Sequence, residues 1–205
     1  MASRRAEAKE RTRNDLIDAG LALFAEQGLD GPSLDAICER AGYTRGAFYV
    51  HFRDREDFLV AAMRRVGAPV LDALLAAPEG ELSLETAAAR FLAAFADGSY
   101  PLGPAGGIRP HQLLDACARS ARVGELYVEL VQEAIARVAA IVKADQARGA
   151  LRGDVEPEPT AQLLLAIVIG VQSMLDLGLP LEPLTLAALC RNLLASTELR
   201  VQETP

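Results

Sequence analysis

SLDAICERAGYTRGAFYVHF, residues 33–52, is the stretch on which the reading of this chain turns. Ser33 is a good N-cap, and Leu34, Ile37, Cys38 and Ala41 follow at i, i+3, i+4 and i+7, the apolar stripe of a short amphipathic helix. Gly42 ends that helix, because glycine accepts the left-handed conformation past a C-terminus. Thr44 caps a second helix from Arg45 to Phe52, with Phe48 and Phe52 spaced i, i+4 toward a core. Two short helices joined by a tight Gly-containing turn are the helix-turn-helix pattern.

The other face of the second helix carries Arg45, Gly46, Ala47, Tyr49 and His51. A glycine in a helix costs about 1 kcal/mol relative to alanine. Gly46 followed by small Ala47 lets the backbone come close to a surface. Arg45 can offer a bidentate fork to guanine, and Tyr49 and His51 can reach phosphate oxygens. Thr44 and the free amides that follow it suit a phosphate. The same pattern also fits a plain helical hairpin with a solvated face.

Working outward, residues 12–58, TRNDLIDAGLALFAEQGLDGPSLDAICERAGYTRGAFYVHFRDREDF, resemble the DNA-binding domain of the TetR family of bacterial transcriptional regulators. Arg13, Ala19, Phe24, Gly28, Ile37, Ala41, Gly42, Gly46, Tyr49, Phe52, Arg55 and Glu56 carry the resemblance in register. Gly20, Cys38 and Tyr43 depart from the family's commoner alanine, alanine and valine, and Arg55 replaces a lysine. The resemblance implies a DNA face of Ser33, Tyr43, Thr44, Arg45, Gly46, Ala47, Tyr49, His51 and Arg55. Tyr43, in the turn, would add a phenol to it.

Composition points the same way. The 205 residues hold 51% hydrophobic side chains, no Trp and only 5% aromatics, which favours an all-α protein. Cys38, Cys117 and Cys190 share no metal or disulfide spacing, so free thiols are expected and no metal or other cofactor is implied. The polar N-terminus is unlike a secretory signal, and the apolar run Leu163–Val171 is too short to cross a bilayer. The expected setting is the cytoplasm, with no membrane partner. Net charge is −7, yet residues 1–53 carry eight basic and eight acidic groups. The excess negative charge therefore lies in the remainder, an arrangement that turns the head toward DNA. Arg4, Arg5, Lys9, Arg11 and Arg13 form a basic arm, read either as solvated or as following phosphates.

The breaks along the chain predict a first helix over 11–27 and a fourth from Arg55, capped by Asp54 and, because Gly67 and Pro69 interrupt its pattern, kinked or broken near Gly67. A fifth follows Ser83 to Phe95; residues 97–110, rich in Gly and Pro, form a loop; and further helices occupy about 110–120, 123–148, 158–177 and 183–199. Residues 1–53 are thus the DNA-binding domain, and 54–205 a helical ligand-binding and dimerisation domain. The fourth helix is the only expected link between them.

LLLAIVIGV, from Leu163, is apolar on every side and must be covered all round in water. A second copy is one cover and a monomer's own core another. The resemblance implies a homodimer through Leu163, Ile167, Gly170, Val171 and Met174 of this helix and Leu186, Leu189 and Leu193 of the last. It also implies a small-molecule pocket, for which Phe91, Phe95, Leu113, Leu114, Cys117, Tyr127, Val131 and Gln172 are the candidates. Ordinary core would look the same.

No GxSxG, HExxH, P-loop or GxGxxG spacing occurs. His111 and Asp115 lie at i, i+4 but have no third partner in register, so a metal site is not expected. A non-catalytic repressor of a palindromic duplex operator, released by a small apolar effector, is the leading reading. A DNA-binding protein of the same fold that senses nothing is the alternative, and a small helical enzyme with Asp115, His111 and Cys117 a distant third.

Overall fold

The computed structural model describes residues 2–78, 81–102 and 108–196, and among them nine helices and no strand. They are α1 (Ala2–Gln27), α2 (Leu34–Ala41), α3 (Arg45–His51), α4 (Arg55–Leu75), α5 (Leu84–Asp97), α6 (Pro110–Arg119), α7 (Ala121–Ala147), α8 (Pro157–Asp176) and α9 (Pro183–Leu194).

Local chemistry sets the helix starts. The side chains of Ser33, Thr44, Asp54 and Ser83 each accept from the backbone amide three residues on, satisfying donors that a first turn leaves free. Gly42 sits at φ 75° behind α2, a conformation that side-chain-bearing residues avoid. The helices α6, α8 and α9 instead open on Pro110, Pro157 and Pro183, whose missing N–H costs nothing in a first turn.

The head is a bundle of α1 to α3 closed by the start of α4. Leu16, Ile17, Phe24, Ile37, Phe48, Phe52 and Phe58 are almost wholly buried in one cluster. Phe58 is its hub, with ring centroids 5.0 Å from Phe52, 5.4 Å from Phe48 and 6.2 Å from Phe24. Burial of each such ring stabilises the head by roughly 1.5–3 kcal/mol. Gly20 makes room for that hub: a Cβ there would stand 2.4 Å from Cζ of Phe58.

The helix α4 does not break where the sequence led us to expect. It runs unbroken through Gly67 and Pro69 to Leu75. Gly67 serves proximity rather than interruption, since a Cβ there would lie 2.7 Å from Cδ1 of Leu130 on α7. Pro69 forfeits one ladder bond, and packing of α4 on α1 and α7 holds the helix through it. The first helix also starts earlier than expected, at Ala2, so the basic arm is helical.

The link between head and body is wider than α4. On α6, the Gln112 side chain accepts from the amide of Leu29 at 3.2 Å, and Arg119 pairs with Asp30 at 2.8 Å. At the start of α7, Arg122 pairs with Asp57 at 2.5 Å and Glu56 at 3.3 Å. Expecting α4 as the sole connection missed these, because none is visible as a periodic pattern.

In the body, α7 packs against α4, α6 and α8, with Ala134, Val138, Ile141 and Val142 buried. The helix α8 is a different case. Twenty residues long with a mean hydropathy of 1.3, it is long and apolar enough to cross a membrane, which the nine-residue run alone did not suggest. Only Thr160, Ala161 and Gln172 of it are buried, and no residue of α9 is. Part of the 97–110 loop, residues 103–107, lies outside the described residues.

Candidate nucleic-acid interface

The helix α3 is held by Phe48 and Phe52 and presents its other face to solvent. Arg45 is exposed beside Asp35, at 3.4 Å; the Tyr49 hydroxyl, then the Asp35 carboxylate, hold its guanidinium above the ordinary value. Tyr49 is 51% exposed, its ring edge-on to Phe48 at 5.5 Å. Neither arginine nor tyrosine is committed to the core.

Gly46 decides how that face is read. Gly20 and Gly67 lack side chains because a neighbour fills the space, but a Cβ at Gly46 would meet only the Thr44 hydroxyl, at an ordinary 3.6 Å. Its φ is not positive either. Among the described residues nothing sterically asks for glycine here, although it costs the helix about 1 kcal/mol relative to alanine.

The face extends onto α1. Burial first, and then the charges of Lys9 and Arg13, hold the pKa of His51 below its ordinary 6.5, with Glu10 opposing. Lys9 and Arg13 therefore stand beside the end of α3, and the Arg13 guanidinium lies 5.3 Å from the Phe52 ring centre. Val50, 64% exposed on α3, is another member that sequence reasoning did not include. Its place on a helix whose neighbours are polar was the available signal.

Two expected members have other work. Arg55 donates to the carbonyls of Pro32 at 2.6 Å and Leu29 at 2.7 Å, tying α4 to the turn before α2. The guanidinium fork matches the two converging carbonyls. The Tyr43 hydroxyl donates to Asp15 Oδ2 at 2.8 Å and so braces the turn against α1. Ser33 and Thr44 are exposed caps. Ala47, half-buried, donates its amide to Thr44.

In the body, a cavity of about 1100 Å³ opens among α4, α5, α7, α8 and α9. Phe91, Phe95, Leu113, Tyr127, Val131 and Gln172 line it as expected. Leu114 does not; it is 46% exposed, whereas its neighbour Leu113 on α6 is buried. Cys117 packs against the head core and is likewise outside the lining. His111 meets no metal-binding cluster among the described residues. It bonds instead to Asp176 at 2.5 Å, alongside Arg109 at 2.9 Å. Leu163, Met174, Leu189 and Leu193 are exposed, Ile167, Val171 and Leu186 partly so, and a Cβ at Gly170 would meet nothing within 4 Å.

Comparison with known proteins identifies this arrangement. Residues 16–62 match the family model of bacterial regulatory proteins, tetR family. The HTH-type transcriptional repressor BepR of Brucella suis biovar 1 is 30% identical over 171 residues, spanning 81% of this chain and 80% of BepR. The chain belongs to the TetR family. An uncharacterized HTH-type transcriptional regulator of Bacillus subtilis, YwcC, is 28% identical over 176 residues, 80% of this chain and 75% of YwcC. Among solved structures, the SmeT–triclosan complex is 27% identical with a TM-score of 0.59, covering 79% of this chain and 78% of SmeT. Reduced NemR of E. coli, 24% identical, shares the fold over 91% of this chain and 98% of its own, with a TM-score of 0.71.

As a TetR-family member the protein is a DNA-binding transcriptional regulator, and its relatives are regulators rather than enzymes. The exposed face of α3 is thus the candidate recognition surface of a TetR-type head.

Proposed function

We propose that this regulator is a homodimeric repressor acting in the cytoplasm on a palindromic operator and released by a small, largely apolar effector. The unexplained Gly46 on the open face of α3 is the observation that carries the DNA-binding assignment to named residues. Arg45 reads a base, Tyr49 and His51 contact phosphates, and Ser33, Thr44 and Ala47 sit at the approach. Residues 1–53 do the binding, and 54–205 hold the ligand and the partner, with α4 serving both through Phe58.

The dimer reading rests on α8 and α9, whose apolar faces a single chain leaves in water. Gly170 has open space where a second helix would approach. BepR is a transcriptional repressor, and SmeT was solved with triclosan; these support repression and small-molecule binding here. No catalytic role is assigned to any residue.

Selection from a pool of random duplexes tests the reading. The wild-type chain is expected to enrich a two-fold symmetric site, with half-sites about one helical turn or a simple multiple apart. Unchanged affinity in an Arg45→Ala, Tyr49→Ala double variant would overturn the assignment of α3.

A further inference from the structure

The cavity carries chemical information beyond its being apolar. Three aromatic side chains form one wall: Phe91 lies 5.8 Å from Phe95 and 5.2 Å, edge-on, from Tyr100. Such ring assemblies favour another ring offering an edge or an offset face. Polar groups are few. Beside the charged Glu85, Asp145 and Arg191 and the polar Ser83 and Asn192, they include the Tyr100 and Tyr127 phenols and the side-chain amide of Gln172.

Gln172 is only 4% exposed, and its Nε2 has no hydrogen-bond partner. It adjoins Tyr100, whose phenol burial pushes up and the nearby Gln172 side chain draws part of the way back, although no hydrogen bond of ordinary geometry joins the Gln172 Nε2 to it. Burial keeps both phenols protonated, so this corner presents donors. A buried donor without an acceptor is costly and uncommon in native proteins, and it is met by a ligand that supplies the acceptor.

Charge in the lining is already neutralised. Asp145 accepts from the amide of Leu84 at 2.7 Å and pairs with Arg148. Glu85 and Arg191 pair with each other at 3.5 Å, both well exposed. Among the described residues, no lone cation or anion waits at the aromatic wall to pair with an ionised ligand.

Resting on the reading of this cavity as an effector site, we infer that the effector class is a neutral aromatic compound bearing a hydrogen-bond-acceptor oxygen. Its ring lies against Phe91, Phe95 and Tyr100, and its oxygen accepts from Gln172. The donor corner selects for the oxygen, and the absence of a free counter-charge selects against ionised analogues, which would be desolvated unpaired.

Three matched probes decide this by calorimetry on the full chain: benzophenone, diphenylmethane, which lacks the oxygen, and 4-benzoylbenzoate, which adds a charge. Benzophenone is expected to bind about fivefold more tightly than diphenylmethane, the worth of one neutral hydrogen bond. It should bind at least about tenfold more tightly than 4-benzoylbenzoate. In Gln172→Leu the preference over diphenylmethane disappears while diphenylmethane still binds. The ligand-free variant melts no lower than wild type, because an unpartnered donor has been removed. If Gln172→Leu does not fold, Tyr100→Phe carries the test, with the preference reduced. Equal or tighter binding of diphenylmethane or the carboxylate leaves the site standing and overturns the class. So does a preference that persists in both variants. Binding of none of the three overturns the effector site and this inference with it.

Discussion

The backbone amide of Leu29 donates to the Gln112 side chain at 3.2 Å, and the Gln112 carboxamide fills the space where a Cβ on Gly28 would stand. Helix α6 of the body is thereby bonded to the turn that leads from α1 into the helix-turn-helix. The same end of α6 is tied to α8 through Arg109 and His111 on Asp176. An effector that displaces α6 has a direct mechanical path to the DNA-binding head, parallel to α4.

Removing that path tests it. Gln112→Ala with Arg119→Ala is expected to leave ligand-free operator affinity within about threefold of wild type. The effector-induced loss of affinity, typically ~1–3 kcal/mol in coupled systems, should shrink toward zero. Operator titrations with and without a bound probe measure both. Full release in the double variant would return the coupling to α4 and Arg122.

Gly20→Ala is expected to destabilise the protein. Alanine gains about 1 kcal/mol of helix propensity. The new methyl, however, would press on the Phe58 ring, which is fully buried among Phe24, Phe48 and Phe52 and cannot yield. Overpacking of this kind costs roughly 1–3 kcal/mol, so a net loss is predicted by denaturant melts. A stabilised variant would show that the ring can move.

Legibility in the sequence followed the range of the interaction. Capping by Ser33, Thr44, Asp54 and Ser83, the left-handed Gly42 and the inward Phe48 and Phe52 depend on neighbours a few residues away, and spacing reveals them. Gly67 looked like a helix breaker because its reason, Leu130, lies on another helix. Arg55 looked like a DNA contact because the carbonyls it binds are brought to it only by folding. Leu113 and Leu114 are neighbours in sequence and both leucine; only the packing of α6 says which one is buried.

Gly170→Glu tests the dimer. The site is open within one chain, so the variant is expected to fold but not to associate. A carboxylate there would be buried without a partner at the interface, costing several kcal/mol. Sedimentation should show monomers, with operator affinity lost in parallel. Dimers of undiminished stability would move the interface away from α8.

Operator affinity is expected to rise as pH falls from 7.5 to 5.5. Burial, Lys9 and Arg13 keep His51 neutral in the free protein down to a pH below 6.5. A nearby phosphate favours the charged ring, so binding takes up a proton; affinity strengthens as pH drops below the pKa of the DNA-bound ring, by at most about tenfold per unit for each His51, and levels off below the lowered value of the free protein. The fold responds with the opposite sign. A folded pKa below the unfolded one means stability that is present above pH ~6.5 and declines beneath it. His51→Gln should flatten the binding profile; an unchanged profile would remove His51 from the phosphate contacts.

The most direct test of the central claim is Gly46→Leu, read by operator affinity and thermal unfolding on the same preparation. Among the described residues a Cβ at Gly46 would meet only the Thr44 hydroxyl, and leucine's better helix propensity is worth roughly 0.5–1 kcal/mol, so the melting temperature should not fall. Against DNA the same side chain blocks close approach of α3, and affinity should drop by at least about tenfold, ~1.4 kcal/mol. A variant that is as stable as wild type and binds the operator equally well would contradict the assignment of α3 as the recognition helix.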